Sequence, residues 1–333
     1  MDGGRPAAHR ADRGADRVRD RAGAPAGRRG ARPHRQPAHP GGRLPAAHRR
    51  AIPSRGGHAV STVVSPARIA RSRTTLEIKS YFRERDSVIF SFLFPIIMLG
   101  LFSVVFGGDD DTFSDAPGGG IDFARYFLPG MLASGIMLVS FQTLAIGLAI
   151  EREDGTLKRL RGTPMPPVAY FLGKVGMILV VGLAQIALLL AVAALAFGVE
   201  LPTDPAKWLT FAWCYVLGTA GGTVLGIAYS SVPRSAKSAS AVVVGPLIVL
   251  QFISGVFFVF NDLPSWLQNI ASVFPLKWLA QGMRSVFLPD RFEQVEVSGS
   301  WQHGQTVLIL SLWLIVGLVI CVRRFRWQRR DDG

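Results

Sequence analysis

Gln142, Gln185 and Gln251 are the notable polar residues inside the long apolar stretches of this 333-residue chain. An amide in hydrocarbon needs a partner, so each glutamine either ties two helices together or lines a polar path. From sequence alone both readings stay open. Transport driven by ions would leave carboxylates or histidines in the same stretches, and these hold almost none. His303 is the one histidine beyond residue 60, and a surface position suits it better than catalysis. Cys214 and Cys321 sit in separate apolar stretches, form no CxxC pair, and read as packed thiols. A phosphate-binding GxxxxGK[ST] loop is missing, because Gly173-Lys174 lacks the upstream glycine and the following hydroxyl residue. No metal-ligand cluster and no Ser-His-Asp arrangement is present either. The chain is expected to hold no cofactor and to be no enzyme, so a partner must supply the energy for any work it does.

The polar segment with most to say runs Glu151-Arg152-Glu153-Asp154-Gly155-Thr156-Leu157-Lys158-Arg159-Leu160-Arg161-Gly162-Thr163-Pro164. Acidic residues come first and basic ones last, which complements a helix dipole. Gly155-Thr156 is expected to break the preceding helix and cap a short new one at Thr156. Gly162 and Pro164 would end it, and Leu157 and Leu160 would give it an apolar edge. A stiff, charged helix of this kind suits a docking element; an ordinary solvated loop fits the same residues.

The elements that must position these residues are membrane helices. The chain is 49% hydrophobic with mean hydropathy +0.30, and its apolar residues gather into nearly uncharged runs of about twenty, long enough to span a bilayer as helices. Six such spans are expected at about 88–106, 127–150, 168–197, 208–231, 239–260 and 306–322. Pro95 and Pro246 should bend the first and the fifth. Before the first span, residues 67–87 place Ile78, Tyr81, Phe82 and Ile89 at helical spacing among arginines, which predicts an interfacial amphipathic helix. Between the fifth and sixth spans, Pro264 and Pro275 divide 261–304 into two short helices. They read as a re-entrant or interfacial hairpin with Trp266 and Trp278 as interfacial aromatics, or alternatively as two further spans.

Orientation follows from the basic residues at span ends: seventeen Lys and Arg collect on one side and five, among them Lys277 and Arg284, on the other. The richer side is expected to be cytoplasmic, with both termini there. The net charge of +14 is otherwise a property of residues 1–60, whose fourteen arginines and four aspartates contribute +10. That head has no Phe, Trp or Tyr, so it cannot bury enough apolar surface to order itself. Nucleic-acid binding is disfavoured by the missing aromatics. Attachment to anionic lipid is one reading. The other is that the head is no functional element, with translation starting at Val60, Val63 or Val64. A secretory signal is not expected, because no apolar core follows the basic stretch until Val88.

Glu153, Gly155, Thr156, Leu157, Leu160, Thr163 and Pro164, followed by Gly173-Lys174, resemble the loop between the second and third spans of the ABC-2 exporter permeases, notably the daunorubicin-type drug-resistance subunits. Pro264, Pro275, Trp278, Leu279 and Arg284 resemble the short helices before that family's last span, and 67–87 its connecting helix. Lys158 departs from the acidic residue of many relatives. The likeness covers about 65–325. It implies an all-α membrane domain over 61–333, with six transmembrane helices, an N-terminal amphipathic connecting helix, and a short re-entrant or extracellular helix pair before the last span. It implies that Glu151, Glu153, Gly155, Thr156, Leu157, Leu160, Thr163 and Pro164 form a helix that couples to an ATPase. Two copies of an ABC ATPase would hold ATP and Mg, and a second permease, identical or related, would complete the assembly in the cell membrane. The expected cargo is apolar or amphipathic, drug-like or lipid-like, and Gln142, Gln251 and Phe257 are candidates for its path; for Phe257, packing is the plainer role. A non-transporting assembly or immunity factor is the alternative, and no nucleic-acid partner is expected.

Overall fold

The computed structural model describes residues 66–107, 120–162 and 167–324. The expectations for the 1–60 head, the 108–119 loop, Thr163, Pro164 and the arginines after 324 concern residues outside that set. Six helical runs among the described residues are long and apolar enough to cross a membrane. They are α2 (Arg85–Phe106), α3 (Phe123–Met137) continuing into α4 (Thr143–Glu153), α6 (Pro167–Ala196), α7 (Pro205–Tyr229), α8 (Ala236–Ile253) and α11 (His303–Arg324). Four further helices join them: α1 (Pro66–Arg83), α5 (Thr156–Arg161), α9 (Ser265–Val273) and α10 (Pro275–Phe287). The chain is thus a nearly all-helical multi-pass membrane protein.

Helix starts are set by local chemistry. Asp204 accepts a hydrogen bond from the Ala206 N–H at 2.8 Å and Pro205 opens α7, where its missing N–H costs nothing. Ser235 and Ser238 cap each other's backbone at the start of α8. The α3–α4 run passes through a π turn at Leu138–Gln142. α7 packs on that turn, and at Gly226 any side chain would meet the Phe141 carbonyl at 2.6 Å. α3, α4 and α7 are the most enclosed runs, whereas α2, α8 and α11 turn most of their apolar side chains outward. Such outward faces suit lipid rather than water.

Three expectations change. The amphipathic helix does not run into the first span: Glu84 leaves helical geometry (φ −82, ψ 74) between α1 and α2. The face of α1 that packs on α6 buries Tyr81 and Glu77, while Phe82 and Ile89 stay exposed. The fifth span ends at Ile253 rather than near Phe260, because Gly255 takes φ +75 and reverses the chain. At 18 residues α8 is about 27 Å long, still close to the hydrocarbon thickness.

Of the predicted hairpin, α9 keeps Trp266 exposed, but α10 is buried along its length against α3, α7 and α11. Trp278 is therefore no interfacial aromatic; its indole donates to the Ser272 carbonyl at 2.7 Å. Lys277 and Arg284, counted by sequence as exterior charges, are buried too. Arg284 forms a two-pronged pair with Glu296 at 2.5 and 3.1 Å, the strong geometry for guanidinium and carboxylate. Lys277 lies 3.6 Å above the Trp278 ring and donates to Gln281 at 2.6 Å.

Burial, helped by the Arg284 charge and opposed by Glu296, lowers the Lys277 ammonium from 10.5 to about 8. The unfolded chain then binds more protons than the folded one between those values, so stability rises with pH across that window. Lys277→Met should raise unfolding stability most at pH 7, by up to about 3 kcal/mol, seen as a higher thermal midpoint, and the gain should shrink towards pH 10. A gain that is the same at every pH would contradict this environment for Lys277.

Candidate functional site

Three consecutive residues at the end of α4 reach three different helices. Glu151 accepts hydrogen bonds from the Tyr170 hydroxyl and the Lys174 ammonium, both on α6. Arg152 donates to the Ser230 carbonyl at 2.7 Å and to its hydroxyl at 3.2 Å. That carbonyl lies at the C-terminus of α7, where the helix leaves acceptors unpaired and favours a cation. Glu153 accepts from the Ala236 N–H at the N-terminus of α8, the end that favours an anion. One turn of helix thus ties α4 to α6, α7 and α8.

A fourth helix joins through Lys174, which also pairs with Glu77 of α1 at 2.7 Å. Glu77 in turn pairs with Arg73 at 2.5 Å, and the Arg73 guanidinium sits 5.3 Å from the Tyr170 ring centre. The Glu77 and Lys174 side chains are each 7% exposed. Two cations and two carboxylates make this buried quartet neutral overall, which burial demands. Its closeness depends on Gly173 and Gly176 of α6. A methyl group there would meet the Arg73 Cγ at 2.4 Å and the Thr74 Oγ1 at 2.5 Å.

α5 hangs from this corner. The α4 helix stops at Asp154, Gly155 adopts φ +75, and the Asp154 carboxylate accepts from the Thr156 N–H at 2.8 Å. Gly155 is therefore the N-cap, the Asp154 carboxylate before it holds the first N–H, and Thr156 is the first helical residue rather than the cap predicted from sequence. The Thr156 hydroxyl accepts instead from Arg159 at 3.2 Å. Leu157 is fully buried and Leu160 half-buried, while Lys158 and Arg159 face outward. Of the residues expected to form a docking helix, Glu151 and Leu157 are turned inward, Glu153 stays exposed while bonding the start of α8, and Thr163 and Pro164 lie outside the described residues.

The expected path residues are not brought together. Gln142 lines a cavity of about 720 Å³ enclosed by α1, α2, α4, α6 and α8, and its carbonyl oxygen has no hydrogen-bond partner. Gln251 is buried elsewhere and accepts from the Ser134 hydroxyl at 2.9 Å. Phe257 is buried among Phe94, Phe102 and Phe252, with ring centres 5.1–6.4 Å apart. Gln185 bonds the Ser91 carbonyl at 2.8 Å, so it and Gln251 take the helix-tying role and Gln142 does not. Sequence reasoning missed the quartet, although one signal was present. A lone lysine in the apolar α6 run must meet an anion, and Lys174 meets two.

A family model described as ABC-2 type transporter matches residues 72–288, more than half of the chain. Over 185 residues the chain is 25% identical to the "Probable multidrug ABC transporter permease YbhR" of Escherichia coli (strain K12), covering 54% of this chain and 48% of that protein. It is 28% identical over 196 residues to the "Putative transport permease ycf38" of Porphyra purpurea, covering 56% of this chain and 66% of that one. The chain thus spans about half the length of the YbhR proteins it matches.

Removing one member of a buried charge group strands the rest. Lys174→Met should therefore lower unfolding stability by about 3–5 kcal/mol. Adding Glu151→Gln to it leaves the Arg73–Glu77 pair neutral and should restore most of that loss, measured as thermal midpoints of the purified chain. A double variant less stable than Lys174→Met alone would contradict the quartet.

Proposed function

This chain belongs to the ABC-2 type transporter family, and on that footing we propose that it is the membrane-spanning subunit of an ATP-driven exporter. The observation that carries the reading is the α4–α5 corner: a short helix with an outward basic face, fastened through Glu151, Arg152 and Glu153 to three long helices. Two copies of a separate ABC ATPase bind ATP and Mg and dock against α5. A second permease, identical or related, pairs with this one, and the outward apolar faces of α2, α8 and α11 serve lipid and that partner. The excess of Lys and Arg at the α5 end supports a cell-membrane protein with that end and both termini in the cytoplasm. The relative's printed name, a probable multidrug permease, supports a drug-like cargo.

In this mechanism ATP-driven closure of the ATPases pushes on α5. With Leu157 buried beneath it, α5 cannot yield alone. The push passes through Glu151 to α6 and α1, through Arg152 to α7, and through Glu153 to α8. Those helices tilt together and exchange an inward-open for an outward-open arrangement.

Reversing Lys158 and Arg159 to Glu should leave the chain folded and inserted, since both are exposed. It should weaken capture of the ATPase and cut export at least about tenfold, as reversal of charges in an interface does. Gly155→Val places a branched residue at φ +75 and should likewise uncouple ATP hydrolysis from export. Co-purification and drug-efflux assays measure both. Full ATPase capture with undiminished export in both variants would contradict the docking role of α5.

A further inference from the structure

α1 commits one face to the quartet and leaves the other open. Arg73, Glu77 and Tyr81 turn towards α6, where Glu77, the only carboxylate of the helix, is neutralised by Arg73 and Lys174. Arg71, Thr75, Lys79 and Phe82 recur at helical spacing on the side turned away. Leu76 and Arg83 border them, and all six residues are exposed. Arg71, Lys79 and Arg83 have no salt bridge among the described residues. Glu84 and Asp86, which follow the helix, line the cavity beside α4 and α6 instead. This face thus joins cations without a carboxylate to two large apolar side chains, Leu76 at 55% and Phe82 at 48% exposure.

The helices around α1 set its depth. α6 has 30 residues, about 45 Å at the rise of a helix, so about 15 Å of it exceeds the hydrocarbon thickness. That surplus lies at its start, because Lys174 sits there while the last turns to Ala196 are wholly apolar. α1 packs on this starting segment. Arg73 and Thr74 lie over Gly173 and Gly176, and Tyr81 joins Met177 and Ile178. On its other side, α2 opens at Arg85 and turns apolar at Val88, so the chain enters hydrocarbon within a few residues of α1. Both neighbours put α1 at the level of the lipid headgroups.

From this we propose that the outward face of α1 binds anionic phospholipid in the leaflet nearest α5. Arg71, Lys79 and Arg83 meet the phosphates, and Phe82 and Leu76 enter the boundary of the acyl chains. Long basic side chains lay their stems along apolar surface and extend their charge to the headgroups, and helices of mixed basic and apolar character lie in that plane. A face with cations and no carboxylate is the complement of a negative surface, to which each Lys or Arg adds attraction. The inner face of the same helix holds Lys174 through Glu77, so lipid on the outer face strengthens the seat of α1 on α6. The inference goes beyond the exporter reading and requires only that the chain spans a bilayer.

The test places a bimane fluorophore on this face through Thr75→Cys, in the full chain carrying Cys214→Ser and Cys321→Ser, held in phosphatidylcholine nanodiscs. Quenching is compared between equal small fractions of phosphatidylglycerol and phosphatidylcholine, each brominated near the top of the acyl chain. Phosphatidylglycerol should quench at least about threefold more strongly, as attraction to several cations requires. Salt at about 1 M should remove the difference. Arg71→Gln, Lys79→Gln and Arg83→Gln should each reduce the preference and together abolish it, and the single variants carry the test if the triple one folds poorly. Lys158→Gln with Arg159→Gln removes charge from the same end of the molecule and should leave the preference intact. Equal quenching by both lipids, quenching by neither, or a preference that survives in all the α1 variants overturns the proposal. So does a loss in the α5 double variant as large as in the triple one. A chain that shows no preference yet captures its ATPase loses this proposal alone. One that shows the preference but captures no ATPase loses the exporter reading alone.

Discussion

A lysine buried in an apolar helix cannot stay charged without anions beside it, and Lys174, near the start of α6, has two. Glu77 and Glu151 come from α1 and α4, so meeting the needs of one buried charge fixes three helices at once. Arg73 completes the group, because two carboxylates around a single ammonium would leave a buried negative charge. The glycines at 173 and 176 let α1 come near enough for these contacts. The position of α1 then defines one wall of the cavity, and the position of Glu151 defines where α4 ends. Much of the architecture at this end of the molecule follows from that one requirement.

The same end of α4 shows economy of a physical kind. Arg152 meets the C-terminus of α7 and Glu153 the N-terminus of α8, each charge placed on the helix end that favours it. Neutral side chains at those two positions would lose both the bonds and the dipole interactions. Because the three contacts are consecutive in sequence, they cannot move independently. α5 is joined to them through Gly155 and held by Leu157, which makes it the exposed handle of a connected frame rather than a free loop.

Six spans and the short helix after Gly155 were legible because long uncharged runs and a glycine-broken charged segment each admit few structures. The end of the fifth span was not. Phe257, Phe258 and Phe260 continue the apolar run past the point where Gly255 turns the chain, and hydropathy does not register a turn that stays apolar. The interior places of Trp278, Lys277 and Arg284 were missed for a related reason. α10 is amphipathic, a pattern that reads as a surface helix until a partner such as Glu296 is known to cover its polar side. Glu77 was hidden one turn from Tyr81 on the face of α1 that packs on α6, where a carboxylate among many charged residues gives no sign of burial. Of the proposed path residues, Gln142 reaches a cavity, whereas Gln251 and Phe257 are held in the packed interior by Ser134 and by neighbouring phenylalanines. Sequence marks such residues as unusual, but their partners decide what they do.

The central claim is that the α4–α5 corner and the start of α8 move as one body when ATP is used. Distances between spin labels in the complete transporter test it directly, with Cys214 and Cys321 replaced by serine and labels introduced through Lys158→Cys, Lys237→Cys and Glu200→Cys. On adding ATP the 158–237 distance should stay constant while the 158–200 distance changes. A 158–237 distance that changes on adding ATP would mean that α5 moves without the start of α8, and would contradict the account.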